Sequence, residues 1–327
     1  MDAWEDNWDE EHGEYRDGES EEPDCPHIDT PKGRLWINYN TVIQYQGTDE
    51  ELILPEGLSC IGTNGFSRAV SLRKITLPRT LTSIRYGAFY GCTGLKEIIA
   101  DHPIPQIESG AFTGCTSLAD SDGLVIFQGI VQACLCKIAH LRIPDHVTGI
   151  QDGAFRNHTV LETVQCPDSL ETIGHRAFSG CTNLRSAALG RGIRRMESQA
   201  FENCSRLSEL SSLDRAEVLG NHAFRGCAML HDLQLSDVVT LGEGVFRDCA
   251  GLFDSEGFLI VNHLLLQYRG EAVRLRIPDG ITEIDVFAFS GCSQLEKAEL
   301  CPGLRRIRHH AFENCENLRE IILPESL

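Results

Sequence analysis

Cysteine and histidine are the residue types in this 327-residue chain that could ligate a metal ion or carry out nucleophilic chemistry, and it has 14 and 12 of them. One residue separates Cys134 from Cys136, so on a strand both side chains point to the same face. Zinc sites built from such pairs use a second ligand pair, and none follows in sequence. The other metal candidate is Cys25-Pro26-His27. We interpret both as structural, and we predict no metal site and no cofactor.

Eight further cysteines share one position of a repeated pattern: Cys92, Cys115, Cys181, Cys204, Cys227, Cys249, Cys292 and Cys315. Ala69 and His158 take that position in two other units. Side chains at one position of stacked coils point in parallel directions, which does not suit disulfide geometry. Small buried thiols fit there as apolar residues. We therefore predict free structural thiols, which are typical of a reducing compartment.

Catalytic signatures are absent from the sequence. It contains no H-E-x-x-H, G-x-S-x-G, G-x-x-x-x-G-K-[ST] or G-x-G-x-x-G segment. No two histidines take the same position in adjacent units, which disfavours a stacked metal site. We predict that the protein is not an enzyme.

Net charge is −19, and residues 1–30 hold 13 acidic residues and one arginine. Excess acid disfavours binding to nucleic acid phosphates and to anionic membranes. No stretch approaches 18 consecutive apolar residues, and the N-terminus lacks the basic and apolar regions of a signal peptide. We predict no membrane insertion and a cytoplasmic location, with the cell surface or secretion as the alternative.

Ten phenylalanines recur at intervals of 22, 23 or 43 residues: Phe66, Phe89, Phe112, Phe155, Phe178, Phe201, Phe224, Phe246, Phe289 and Phe312. The unit reads I-x-x-x-A-F-x-G-C-x-x-L-x-x-I-x-L-P. A coil this short cannot bury its own apolar side chains, so the period predicts a stacked solenoid. We expect Phe178→Ala to destabilise the protein far more than Phe66→Ala, because Phe66 begins the row.

The segment L-x-x-I-x-L-P alternates like a short strand, and proline ends it. We predict one parallel sheet of roughly a dozen strands, on the order of 50–60 Å long. Three longer units, near residues 33–61, 121–150 and 255–284, each contain two apolar runs separated by a turn sequence, which predicts a β-hairpin. The hairpins either pack on neighbouring coils or protrude as an apolar edge that contacts a partner.

The unit "AFSGCTNL" (177–184) and its copies resemble the BspA-like leucine-rich repeats of the 23-residue treponemal type, over about residues 33–327. The resemblance implies a mainly β, right-handed solenoid with a parallel sheet, short irregular or 3-10 convex connections and inserted hairpins. It implies a protein-interaction scaffold without catalysis, whose ligand is unknown. The alternative is a surface adhesin of the same type that binds a host or neighbouring-cell protein.

Two regions could bind a protein partner. The outward strand positions of a concave sheet are the first, and they carry mixed side chains without an aromatic cluster: Thr76, Ile99, Arg142, Gln165, Ala188, Ser211, Gln234, Arg276, Glu299 and Ile322. The second is Trp4 and Trp8 in an acidic segment, residues 1–32, which is either a disordered tail or a linear motif. The last strand, 320–323, leaves a sheet edge that could support weak self-association.

Overall fold

A computed structural model describes residues 25–211, 213–235 and 239–327. Within these ranges the chain is mainly β, and the one helix is the 3-10 turn Ala250–Leu252. Each regular coil contributes two short strands, which pair in parallel with the equivalent strands of the coils before and after it. The fold is therefore a β-solenoid, as the repeat predicted. No helix in the described ranges is long and apolar enough to span a membrane.

The first strand of each coil takes the position that precedes Leu-Pro in the repeat pattern, as Lys74–Thr76 precedes Leu77-Pro78, and we call these the LP strands. They form three parallel sheets of three, four and three strands. The bounds are Glu51–Ile53, Lys74–Thr76 and Glu97–Ile99; His140–Arg142, Thr163–Gln165, Ser186–Ala188 and Glu209–Leu210; Arg274–Arg276, Lys297–Glu299 and Glu320–Ile322.

The second strand lies just before the Ala-Phe pair, and we call these the AF strands. Each is two residues long and places one apolar side chain inward. The bounds are Cys60–Ile61, Ser83–Ile84 and Gln106–Ile107; Gly149–Ile150, Thr172–Ile173, Arg195–Met196, Val218–Leu219 and Thr240–Leu241; Glu283–Ile284 and Arg306–Ile307.

The prediction of one continuous sheet is wrong, because the LP strands are interrupted at the hairpin units. After Leu118 the chain turns through Asp120, whose carboxylate accepts the backbone N–H groups of Asp122 and Leu124 at 3.0 and 2.8 Å, and then enters a hairpin. The hairpin occupies a coil without supplying an LP strand. A similar gap follows residue 211, where a single bridge between Leu213 and Leu235 replaces a strand pair.

The three predicted hairpins are confirmed, and they lie at the start of the AF sheets. Their strands are His27–Thr30, Gly33–Asn38 and Thr41–Gly47; Leu124–Phe127 and Ile130–Cys134; Phe258–Val261 and Leu264–Tyr268. The last strand of each pairs in parallel with the next AF strand. At the second turn Gln128 and Gly129 have φ of 51° and 75°, as a tight type I′ turn requires.

The hairpins pack into the core and do not protrude as apolar edges. Val42, Val131 and Leu265 are fully buried on equivalent strands. Residues of the second hairpin belong to two core clusters, since Leu124 packs with the cluster that follows it and Val125 with the one before. The hairpins thus divide the solenoid core into three apolar clusters, roughly 35–127, 124–259 and 258–311.

The phenylalanine row is confirmed as an interior stack. Within each cluster consecutive rings are nearly parallel, with interplanar angles of 3–11° and centroids 4.7–5.6 Å apart. Nine of the ten rings are buried, and Phe312 is half-buried. Offset stacking of this kind adds to the stabilisation from burial.

The expectation for Phe66 is wrong in its premise. Tyr45 from the first hairpin packs against Phe66 at 5.4 Å, and Phe89 packs on its other side at 5.4 Å. Phe66 is fully buried. It therefore has a ring on each side, like Phe178.

The predicted boundary at residue 32 is also wrong. The strand His27–Thr30 pairs antiparallel with Gly33–Asn38 and belongs to the first AF sheet. Trp4, Trp8 and the rest of residues 1–24 lie outside the described residues, so the tail motif remains a prediction.

Candidate functional site

The outward positions predicted for partner binding fall into three rows, one on each LP sheet. Strand register places Thr76 beside Ile99, Arg142 beside Gln165 and Ala188, and Arg276 beside Glu299 and Ile322. Ser211 directly follows the strand Glu209–Leu210, and Gln234 lies outside any strand. On the paired strands these residues lie at the outward positions that alternation predicted. The gaps between the three LP sheets divide the predicted face into three parts.

The prediction omitted Ile53, the first member of the Thr76 row. Its side chain is 78% exposed and lies next to Thr76 in strand register. It shares the outward phase of its strand, so alternation could have identified it.

Charges on the first and third LP sheets are paired across adjacent strands. Lys74 Nζ lies 3.0 Å from Glu97 Oε2, and Lys297 Nζ lies 2.8 Å from Glu320 Oε1. Arg276 approaches Glu299 at 3.8 Å. These solvated ion pairs are weak contributors to stability, and they lie beside the apolar side chains of Ile53 and Ile322.

The middle LP sheet is different, because small neutral side chains cover its second half. Ser186, Ala188 and Ser211 line a depression of about 290 Å³ at the sheet end, together with Glu209, His231 and Asp232. Ser211 Oγ accepts the Leu189 N–H at 2.7 Å, which holds the edge of the depression in place. A second depression, about 210 Å³, lies nearby between Arg142, Asp145, Gln165 and Asp168.

The cysteine row is interior, and its thiols have a role that sequence reasoning missed. Cys181 Sγ donates to the Phe155 backbone oxygen at 3.1 Å, and Cys204 Sγ donates to that of Phe178 at 3.2 Å. Equivalent bonds of 2.9–3.2 Å are made by Cys92, Cys115, Cys227, Cys249 and Cys315. Each thiol thus joins its coil to the phenylalanine of the coil before.

Burial makes these thiols poor nucleophiles. It raises the pKa of Cys92 and of Cys115 to about 12 in each case. The thiolate is the reactive form of cysteine. The buried thiols of the row therefore act as hydrogen-bond donors within the core.

The structure brings together one group of potential metal ligands that the sequence did not predict as a site. Cys134, Cys136 and His158 place their sulfur and nitrogen atoms within 4.8 Å of one another, and all three are half-buried. It is the one such cluster in the described part of the chain. His158 comes from the next coil, 22 residues after Cys136, which is about one repeat, so the repeat period was a signal that the sequence prediction did not use.

The final LP strand, Glu320–Ile322, pairs on one side with Lys297–Glu299. Ile321 and Leu323, on it and directly after it, are 38% and 59% exposed. This is the edge for which weak self-association was predicted.

One family model matches this chain in sequence. The model of the BspA type leucine rich repeat region matches in six copies over residues 43–123, 132–252 and 267–327. No curated protein matches the chain.

Three solved structures are similar. A leucine-rich repeat protein of Treponema pallidum is 27% identical, with 58% of this chain and 82% of that one covered and a TM-score of 0.40. A leucine-rich repeat protein from Bacteroides ovatus is 21% identical over 92% and 95%, with a TM-score of 0.39. A leucine rich cell surface protein from Faecalibacterium prausnitzii is 24% identical over 93% and 96%, also with a TM-score of 0.39. The matched repeat model covers most of the residues, and the stacked coils bury its recurring positions, so the chain belongs to the BspA-type leucine-rich repeat family.

Proposed function

We propose that the protein is a non-catalytic scaffold that binds a protein partner on the outward face of the middle LP sheet, around Ala188. The observation that carries this is the depression of about 290 Å³ lined by Ser186, Ala188 and Ser211. Interface centres are depleted of charged residues, whereas the rim is polar. Ser186, Ala188 and Ser211 supply small neutral side chains to this depression, and Glu209 and Asp232 supply charge.

The size of this face limits the kind of partner. Four strands at about 4.8 Å spacing and three residues at about 3.3 Å each give roughly 200 Å². A stable interface buries about 800 Å² on each partner. The partner therefore also contacts the turns beside the sheet, such as Asp145 and Asp168 around the second depression, or extends along the solenoid to another LP sheet.

The scaffold proposal can be tested by blocking the depression. Ala188 is exposed at the outward phase of its strand, so Ala188→Arg fills the depression without disturbing the core. Thr172→Arg is the matched control, because Thr172 is exposed on an AF strand of the same cluster. In affinity capture from native cells, each of the wild type and the two variants serves as bait. Proteins that bind the wild type and Thr172→Arg but not Ala188→Arg are the predicted partners. An identical set with all three baits contradicts the proposal.

The proposal includes no nucleic acid ligand, because the net charge is −19 and phosphate binding needs clustered lysine and arginine. It also places the protein in a reducing compartment, the cytoplasm, because buried thiols donate to backbone carbonyls in seven coils. Fractionation of native cells tests the location. Recovery at the cell surface would instead favour the adhesin function.

A further inference from the structure

Three side chains that depart from the repeat pattern meet at one place in the second hairpin unit. Cys134 Sγ and Cys136 Sγ are 2.7 Å apart, and Cys136 Sγ lies 3.8 Å from His158 Nε2. The potential ligand atoms of all three side chains lie within 4.8 Å of one another.

Cys134 stands where the other two hairpins have tyrosine. The backbone N–H groups of Tyr45, Cys134 and Tyr268 donate to equivalent carbonyls of the next coil, at 2.7, 3.0 and 2.8 Å. Tyr45 and Tyr268 each extend the ring stack, at 5.4 Å from Phe66 and 5.6 Å from Phe289. At the equivalent place beside Phe155 the chain has a thiol.

Cys136 stands where the other two hairpins have glycine. A Cβ added at Gly47 would collide with the Tyr45 hydroxyl, and one at Gly270 would collide with the Tyr268 hydroxyl. Replacement of tyrosine by Cys134 therefore opens the space that the Cys136 side chain uses. Any small side chain could fill the space that tyrosine leaves, yet both positions carry sulfur.

His158 is the third departure. It takes the position of the cysteine row in the coil after the hairpin, where the first unit has Ala69 and the third has Cys292. The exchange brings imidazole next to the two thiols. Two thiols and an imidazole are the ligand types that zinc prefers.

We propose that Cys134, Cys136 and His158 together bind one Zn²⁺ ion, although the sequence alone predicted no metal site. Zinc bonds of about 2.3 Å to sulfur in tetrahedral geometry separate two thiolates by roughly 3.8 Å, so the sulfur atoms must move apart by about 1 Å. Side-chain rotation of two half-buried cysteines supplies that movement. Three protein ligands leave the fourth position to water.

Proton balance follows from the present hydrogen bonds. Each thiol loses its proton to solvent when its sulfur binds Zn²⁺. His158 Nε2 donates to the Cys136 carbonyl at 2.9 Å in the free form, and on binding it becomes the ligand while Nδ1 carries the imidazole proton. The Leu161 N–H donates to Nδ1 at 3.1 Å in the free form, so the ring must turn away from it when Nδ1 is protonated; the Leu161 N–H then keeps the His158 carbonyl at 3.3 Å as its acceptor. Because both thiols must lose a proton to bind the metal ion, zinc affinity increases with pH.

The test titrates the reduced, chelator-stripped full chain with Co²⁺ under argon, and follows thiolate-to-metal charge-transfer absorption. Competition with a chromophoric chelator then measures Zn²⁺ affinity. We expect one metal ion per chain. Cys60→Ser and Cys25→Ser are the controls and retain the signal, and the second also separates this site from Cys25-Pro26-His27.

Two variants use residues that the chain itself places at the equivalent positions. Cys134→Tyr with Cys136→Gly reproduces the first and third hairpins, and His158→Ala reproduces the first unit. Both variants should keep the melting temperature of the metal-free protein. Zinc binding should weaken by at least about 100-fold, because losing a direct ligand costs more than losing a residue that only supports a ligand, which costs up to about 100-fold.

Two outcomes would overturn the site. One is that the reduced wild-type protein binds no stoichiometric metal. This includes the case in which Cys134 and Cys136 form a disulfide in air and its reduction does not restore metal binding. The other is a double variant that binds Zn²⁺ as tightly as the wild type.

Discussion

The coil that contains Phe178 and the coil that contains Phe312 have nearly the same sequence motif and very different environments. Phe178, Ala187 and Leu189 are 0–1% exposed. At the equivalent positions Phe312 is half-buried, and Ile321 and Leu323 are 38% and 59% exposed. The comparison shows that burial in this fold comes from having a coil on both sides, since each coil alone has too little apolar contact to exclude water.

The largest expected effect separates these two coils directly. Phe178→Ala removes a ring stacked at 4.7 and 4.9 Å on its neighbours, and we expect a loss of roughly 3–5 kcal/mol in the free energy of unfolding. Phe312→Ala removes a half-buried ring with one stacked neighbour, and we expect about 1–2 kcal/mol. Urea denaturation followed by circular dichroism measures both. Equal losses would show that neighbours do not determine burial energy.

Phe66→Ala tests whether the first coil behaves like the interior. Because Tyr45 covers Phe66, we expect a loss close to that of Phe178→Ala, again roughly 3–5 kcal/mol. A loss as small as that of Phe312→Ala would show that the hairpin ring does not replace a coil.

Asp49→Asn tests how the first hairpin holds Tyr45 in place. Asp49 is 3% exposed; its carboxylate accepts hydrogen bonds from the Thr30 and Tyr45 hydroxyls and from the Lys32 N–H. We expect the substitution to cost about 1–3 kcal/mol at pH 7, since it replaces a charged acceptor.

The same variant has a pH signature. Burial alone would raise the pKa of Asp49, but these hydrogen bonds lower the pKa by a larger amount, so the net shift is downward. A carboxylate whose pKa is lower in the folded chain stabilises the fold fully at pH values above its pKa in the unfolded chain, about 3.9. This stabilisation is lost as the pH falls through its pKa in the folded chain. The difference between wild type and Asp49→Asn should therefore shrink below about pH 4. A difference that is independent of pH would contradict the assigned charge.

Thiol reactivity compares the two coils without a mutation. The neighbouring Cys204 thiol and burial raise the pKa of Cys181, and burial raises that of the half-buried Cys315. We expect Cys315 to react with iodoacetamide at least about tenfold faster than Cys181 in the folded protein, because access and thiolate fraction both favour it. Peptide mass spectrometry over a time course gives the two rates, which should become equal in urea.

The smallest effect concerns the exposed final strand, for which we propose weak self-association. Ile322 is 39% exposed on an edge that pairs on one side with Lys297–Glu299. Ile322→Lys should abolish any concentration dependence in sedimentation, since charge on an edge strand opposes pairing. A wild type that sediments as a monomer at every concentration would remove the proposal.

Much of the architecture was predictable because it depends on contacts between equivalent residues. The 23-residue spacing of phenylalanine predicted the ring stack, and the alternation in segments such as Lys74–Thr76 predicted the outward side chains. The paired apolar runs around Gln128-Gly129 predicted a hairpin. These patterns repeat, so each copy supports the others.

Other features depended on non-equivalent residues and were missed. The cover that Tyr45 provides for Phe66 and the cluster at His158 arise where a hairpin replaces part of a coil. The LP sheets are interrupted at hairpins too, and also after residue 211, where a single bridge replaces a strand pair. The 22 residues between Cys136 and His158 are about one repeat, yet only the fold shows that their side chains face each other. The thiol–carbonyl bonds were also missed, because apolar filling accounted for the cysteines equally well.

The amino-acid sequence by itself determined the repeat unit, the inward position of its phenylalanines and thiols, and the presence of three hairpins. Only the tertiary structure decided where the sheets stop, which coils are covered on both sides, and which side chains from different coils come within bonding distance. The physical reason is that periodic apolar spacing specifies what a coil must bury, whereas stacking specifies against which residues it does so.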